Sequence, residues 1–217
     1  MVLRGMLAAC LLLTVVGVVY TQPHAGTDKL LQSSWWEPDG GDWDQYVWDN
    51  FKFPTAQTVT AIHWRGGYDP TRFGRGGPVL DFSVAIYPSI AAQIEPDIVN
   101  PPLVRCRTGD NAGETAVGVF GTTTLYDYQF TLPRPFQAEA GVKYWVQIEA
   151  YQHGIPDWGL AAGTGGDGGY FRRIAGMGDA FYQRVPGDAA FSLLGPTPDN
   201  PQNWLFLPLI IRRFPSP

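Results

Sequence analysis

The stretch Lys143-Tyr144-Trp145-Val146-Gln147-Ile148-Glu149-Ala150 decides the fold, because its side chains change character at nearly every step. Tyr144, Val146, Ile148 and Ala150 fall on one side, with Lys143, Gln147 and Glu149 on the other. That period of two belongs to a strand buried on one face. The alternation recurs on either side of this stretch. Phe82, Val84 and Ile86 alternate with Ser83, Ala85 and Tyr87, and Tyr126, Tyr128, Phe130 and Leu132 with Asp127, Gln129 and Thr131. No window sustains the apolar stripe of a helix. Further strands are expected at residues 45–53, 57–65, 115–120, 157–162, 169–174, 180–185 and 189–194, which makes about nine or ten strands in all, at the spacing of a sandwich. The expected fold is all-β, a single antiparallel β-sandwich of the jelly-roll kind.

Composition agrees with that pattern. Of 217 residues, 45% are hydrophobic and 14% aromatic, well above disordered composition, and 26 Gly with 19 Pro supply more turns than a helical bundle absorbs. The formal net charge is -5 and no Lys/Arg run forms a stripe, which argues against nucleic acid as a partner. Arg4 followed by an apolar run from Met6 to Val19 reads as an export signal too short to span a bilayer. The run continues past Cys10, so lipidation there is not expected, and removal of the signal leaves Cys106 as the lone thiol. The expected organisation is a signal at 1–21, a leader at 22–40, a sandwich at 41–195 and a tail at 196–217. The tail opens with Pro196-Thr197-Pro198, continues to an apolar run from Trp204 to Ile211, and reads as a docking strand, a sorting tag or a surface-associating end.

Three features carry possible chemistry. Asp39, Asp42, Asp44 and Asp49 crowd the start of the first strand, where carboxylates could converge on calcium with Asp42, Asp44 and Asp49 as the ligands, although Asp and Gly also suit turns on their own account. Trp145 falls on the polar side of its strand, and with Trp158, Tyr151 and Tyr170 it could form a platform that stacks on sugar rings. The competing reading places Trp145 beneath a covering segment such as the tail around Trp204. Gly163-Thr164-Gly165-Gly166-Asp167-Gly168 matches a dinucleotide fingerprint in form, but strand-like Gly169-Tyr170-Phe171 follows, so a hairpin or ligand-edge loop is expected instead. His63 and His153 sit in no metal pair, no nucleophile elbow is present, and Glu139, Glu149 and Asp157 are acids of unknown separation.

Four stretches together resemble a family of secreted bacterial sandwich domains, often found in surface-sorted proteins. They are Val47-Trp48-Asp49-Asn50-Phe51, Ile62-His63-Trp64-Arg65-Gly66-Gly67-Tyr68, Gly141-Val142-Lys143-Tyr144-Trp145-Val146 and Asp188-Ala189-Ala190-Phe191-Ser192-Leu193-Leu194-Gly195. The resemblance implies a fold like carbohydrate-binding modules, usually without known activity, and a structural calcium that would add Asp188 to the ligands. Phe206-Leu207-Pro208-Leu209-Ile210-Ile211-Arg212-Arg213 is similar to the ends of secreted proteins from filamentous green non-sulfur bacteria. The expected function is a non-catalytic secreted or cell-surface module that binds envelope or matrix glycans or its own copies. A purely structural surface or sheath subunit is the alternative, and a glycoside-active enzyme the minor one.

Overall fold

The computed structural model describes residues 16–36, 44–71, 77–175 and 180–197. The chain is all-β, with sixteen strands and no α-helix among the described residues, and hence no helix long and apolar enough to cross a membrane. In chain order the strands are β1 Val16–Gln22, β2 Leu30–Gln32, β3 Ser34–Trp36, β4 Tyr46–Lys52, β5 Gln57–Tyr68 and β6 Asp81–Ile90. There follow β7 Glu95–Pro96, β8 Val104–Arg107, β9 Thr115–Phe120, β10 Thr123–Ala138 and β11 Lys143–Gln152. The last five are β12 Trp158–Gly163, β13 Gly169–Ala175, β14 Ala180–Pro186, β15 Asp188–Ala189 and β16 Phe191–Pro196.

Two curled sheets take up these strands. The first runs β1-β16-β5-β10-β9, with β12 joined to β5, β2 and β15; the second runs β14-β13-β4-β11-β6-β7, with β3 beside β11 and β8 beside β6. All pairings are antiparallel except β3 with β11. One hydrophobic cluster draws on both sheets, from Val59, Trp64 and Leu132 on one to Phe51, Phe82, Val84 and Ile148 on the other. At its centre Phe82 lies edge-on to Trp64 at 5.2 Å, Tyr128 at 5.0 Å and Trp158 at 5.0 Å, and the Trp158 indole N–H donates to the Tyr128 hydroxyl at 3.0 Å. Edge-to-face geometry of this kind adds about 1 kcal/mol per pair beyond area burial, and the bond gives each polar tip a buried partner.

The strands exceed the expected nine or ten because β2, β3, β7 and β15 have two or three residues each, too short to show a period. They also begin earlier than residue 41. β1 to β3 lie within the segments read from sequence as signal and leader, and β1 pairs with β16 from Val16↔Pro196 to Gln22↔Phe191. Tyr20 packs against Phe51, Phe53 and Phe191 with ring centroids 5.8–6.1 Å apart. An apolar run such as residues 16–20 suits a signal core and a buried strand equally, so periodicity could not separate them. Residues 1–15 of the expected signal, and the tail beyond Thr197, lie outside the described residues.

A second departure matters more for function. β11 was expected to face water on one side, yet every residue from Tyr144 to Ala150 is buried, including Gln147 and Glu149. A smaller apolar cluster of Trp48, Ala85, Tyr87, Trp145 and Phe171 covers part of the outer face. The expectation of a solvent-facing Trp145 is therefore corrected: its exposure is 0%, its indole N–H donates to Ser89 Oγ at 2.8 Å, and Phe171 of β13 meets its ring at 6.4 Å. Trp145→Ala should lower the unfolding free energy by about 3–5 kcal/mol in urea titration, the range for truncating a buried aromatic; an unchanged midpoint would mean the side chain is exposed.

Candidate functional site

The pairing register builds the outer face of the second sheet in rows. Arg105 of β8 stands opposite Ala85 of β6, which stands opposite Gln147 of β11, then Trp48 of β4, then Phe171 of β13. One step along, Arg107 is opposite Ser83 and Ser83 opposite Glu149, while Tyr46 is opposite Arg173 and Arg173 opposite Tyr182. Residues two apart on a strand share a face, so both rows present their side chains to the same side. β3 adds one more, because Trp35 is in register with Tyr151.

Between these rows lies a groove of about 420 Å³. One wall is an aromatic stack. Trp35 sits between Tyr46 and Tyr151, 6.0 Å from each ring at interplanar angles of 16° and 28°. Cations close both ends of the stack, with the Arg107 guanidinium 3.5 Å over Tyr151 and that of Arg173 5.3 Å from Tyr46. Arg107 is held in place by Asp81 at 2.5 Å. Across the groove Arg105 donates to the Tyr87 hydroxyl at 2.6 Å, and that hydroxyl donates to Gln147 Oε1 at 3.0 Å. Tyr182, 44% exposed, leans over Trp48 at the mouth with ring centroids 6.1 Å apart.

The floor holds two buried polar atoms without a hydrogen-bond partner in the protein, Trp48 Nε1 and Glu149 Oε1. Such atoms are rare, since each forfeits about 1–3 kcal/mol of solvation. Burial, reinforced by the nearby Asp44 carboxylate, pushes the Glu149 carboxyl up to about 8, while Arg105, Arg107 and the Tyr151 hydroxyl draw it partly back. Glu149 therefore keeps its proton at neutral pH. Burial, and the charge Glu149 would carry, raise the Tyr151 phenol to about 12.

Other depressions are less open to a ligand's polar groups. The one beside His63 and Asp127 measures about 530 Å³, but Arg65 already holds the Asp127 carboxylate by two bonds of 2.7 and 2.9 Å. In that beside Tyr68 and Tyr126, the Tyr68 hydroxyl is given to Glu114 at 2.6 Å.

Of the aromatics singled out from sequence, Tyr151 lines the groove and Trp145 lies on the same face, one row in and beneath Phe171. Trp158 and Tyr170 do not join them. Both are buried in the core between the sheets, at 0% and 3% exposure, so neither can stack on a sugar. The residues that complete the groove, Trp35, Tyr46, Trp48, Tyr87, Arg105 and Arg107, were not singled out. Tyr46 with Trp48, and Arg105 with Arg107, are two apart on their strands, and that spacing was the available signal.

The acidic residues also separate. Asp39 and Asp42 lie outside the described residues. Asp44 is buried beside the groove, where its backbone carbonyl accepts from Arg173. Asp49 and Asp188 meet elsewhere, and their oxygens are taken by backbone amides: Asp49 accepts from Asn50 at 2.7 Å and Ala189 at 2.5 Å, Asp188 from Gly168 at 2.9 Å and Gly166 at 3.1 Å. Among the described residues no three acidic, His or Cys side chains are gathered to hold a metal. The Gly163–Gly168 loop is thus neither a nucleotide cradle nor a hairpin; it carries the chain from β12 in one sheet to β13 in the other, pinned by Asp188.

The raised pKa of Glu149 makes stability depend on pH in a definite direction. A carboxyl that ionises harder in the folded state than unfolded makes stability fall as pH rises from the ordinary glutamate value through about 8, after which the loss levels off. Buried Asp49 shifts in the same direction for the same reason, burial. Glu149→Gln removes the Glu149 share alone. Relative to wild type, this variant should gain melting temperature between pH 6 and 9; parallel melting curves over that window would place the carboxyl in water.

No curated protein and no solved structure matches the chain. Residues 20–164 match DUF7901, a domain of unknown function, a span that takes in β2 to β12 and the groove residues Trp35, Tyr46, Trp48, Tyr87, Arg105, Arg107, Gln147, Glu149 and Tyr151. The chain belongs to the DUF7901 family.

Proposed function

We propose that the chain is a secreted, non-catalytic module, a jelly-roll-like sandwich that binds glycan through the groove on its second sheet. The observation that carries this reading is the Tyr46–Trp35–Tyr151 stack facing Trp48 and Tyr87 across a polar floor. Sugars present apolar C–H faces, which stack on aromatic rings, and a rim of hydroxyls that both donate and accept. The floor offers such a rim the unpaired Trp48 N–H and the unpaired Oε1 of Glu149. Glycoside hydrolysis uses two carboxyls flanking the scissile bond; among the described residues that line the groove Glu149 is the one acid, which favours binding over catalysis.

A second reading has its own support. β1 and β9 end the first sheet, and Val16, Val18, Val117 and Val119 on them are 41–70% exposed. Open edges with apolar side chains favour edge-to-edge pairing of copies, as in a structural sheath subunit. Light scattering over a concentration series reads this directly.

Titration calorimetry against soluble oligosaccharides tests the groove. Trp35→Ala and Tyr182→Ala should each weaken binding about tenfold, a loss near 1.4 kcal/mol, with the melting temperature of Tyr182→Ala nearly unchanged because that ring is exposed. Variants that bind like wild type would remove the groove from the function.

A further inference from the structure

We propose that the groove is selective for an acidic sugar, one that carries a carboxylate or sulfate, with Arg105 receiving the anionic group. This rests on the glycan-binding reading and goes beyond it by assigning the ligand its charge.

The argument is a census of what the groove can give and take. Arg105 forms no ion pair among the described residues; its one hydrogen bond goes to a neutral phenol, Tyr87, and its guanidinium lies 6.0 Å from that ring. An exposed arginine ordinarily has water or a carboxylate on its fork, and this one is held against an aromatic with its remaining donors uncommitted. Gln147 has its oxygen occupied by Tyr87, which leaves the NH₂ end for a ligand. Trp48 Nε1 is a donor only and has no partner. Three side chains of one cross-strand row, Arg105 and, beyond the small Ala85, Gln147 and Trp48, therefore all offer N–H groups. A neutral sugar hydroxyl would leave part of that capacity unused, whereas a carboxylate or sulfate only accepts, and a guanidinium fork matches its paired oxygens.

Glu149 completes the arrangement rather than opposing it. The charged and titratable groups facing it are Asp44, Tyr46 of β4, Arg105 and Arg107 of β8 and Tyr151 of its own strand, with Arg173 of β13 near Tyr46. Held neutral by burial, Glu149 offers one more O–H donor at pH 7. Ionised, it would repel an acidic ligand.

Matched pairs of ligands test this on the intact chain: oligogalacturonate against its methyl ester, and dextran sulfate against dextran. At least one acidic member should bind ten times or more tighter than its neutral counterpart, and the pair that responds identifies the anion as carboxylate or sulfate. Arg105→Gln should bring the acidic-to-neutral affinity ratio of the responding pair to within about twofold of one. Wild-type affinity for the acidic ligand should fall between pH 6 and 9, and Glu149→Gln should flatten that fall. Equal binding within both pairs would overturn the acidic preference and leave glycan binding standing. Acidic binding that Arg105→Gln does not weaken would also overturn it, as charge attraction elsewhere on the surface. Binding of none of the four would overturn both readings.

Discussion

Burial of both faces of β11 requires two separate layers of partners, and the rest of the molecule is arranged around that demand. The inner face has Tyr144, Val146 and Ile148 turned to the first sheet, whose Trp64, Tyr128 and Trp158 meet Phe82 of neighbouring β6 at the aromatic centre. The outer face has no third sheet to cover it. Curling of the second sheet brings Phe171 of β13 over Trp145, and β3 and β8 flank the far end, so the cover is complete at one end of the strand and open at the other. The open end is the groove. It exists because an apolar layer begun at Trp145 gives way, two and four residues later, to Gln147 and Glu149.

Crossing between two sheets poses a different problem, since a connecting loop exposes amides that no ladder satisfies. Here carboxylates take that role. Asp188 accepts the amides of Gly166 and Gly168, Asp167 accepts from Asn50 and pairs with Lys143 at 2.7 Å, and Asp49 ties β4 to the amide of Ala189. The glycines are required by space and conformation: a Cβ on Gly166 would fall 2.5 Å from Asp188 Oδ1, and Gly168 has φ +76°. Burial raises the Asp49 carboxyl well above its usual range, with Asp188 and Asp167 adding to the shift. The acidic cluster that suggested calcium is thus, for Asp49 and Asp188, a set of amide acceptors at a sheet crossing.

How much of this was legible beforehand follows from what periodicity measures. Alternation located β6, β10 and β11 because half their residues contrast with the other half, and the family match over residues 20–164 does not say what the domain does. Alternation reports polarity, not coverage. Gln147 and Glu149 read as solvated because they are polar, yet they are buried by residues from β3, β4, β8 and β13, separated from them by up to about a hundred positions in sequence. Trp145 was recognised as misplaced on a polar face, and that signal was sound; the cover came from Phe171 in a strand whose register no local pattern could supply. Tyr151 was placed near a ligand and lines the groove, whereas Trp158 and Tyr170, chosen for their turn-rich neighbourhoods, follow strand faces into the core.

The groove's floor shows why site residues and stability residues part company here. Phe82 is fully buried among rings and has no polar atom to satisfy, so its identity is accounted for by the fold, whereas Trp64 beside it keeps an indole N–H without a partner in the closed core. Glu149 and the Trp48 indole are also buried, and the fold leaves a polar atom of each without a partner. A leucine at 149 or a phenylalanine at 48 would pack in similar space with no solvation forfeited. What sets the Trp48 N–H and Glu149 Oε1 apart from the unpaired Trp64 N–H is place: they belong to residues that line an open groove, where the proposed ligand would supply the partner that the protein does not.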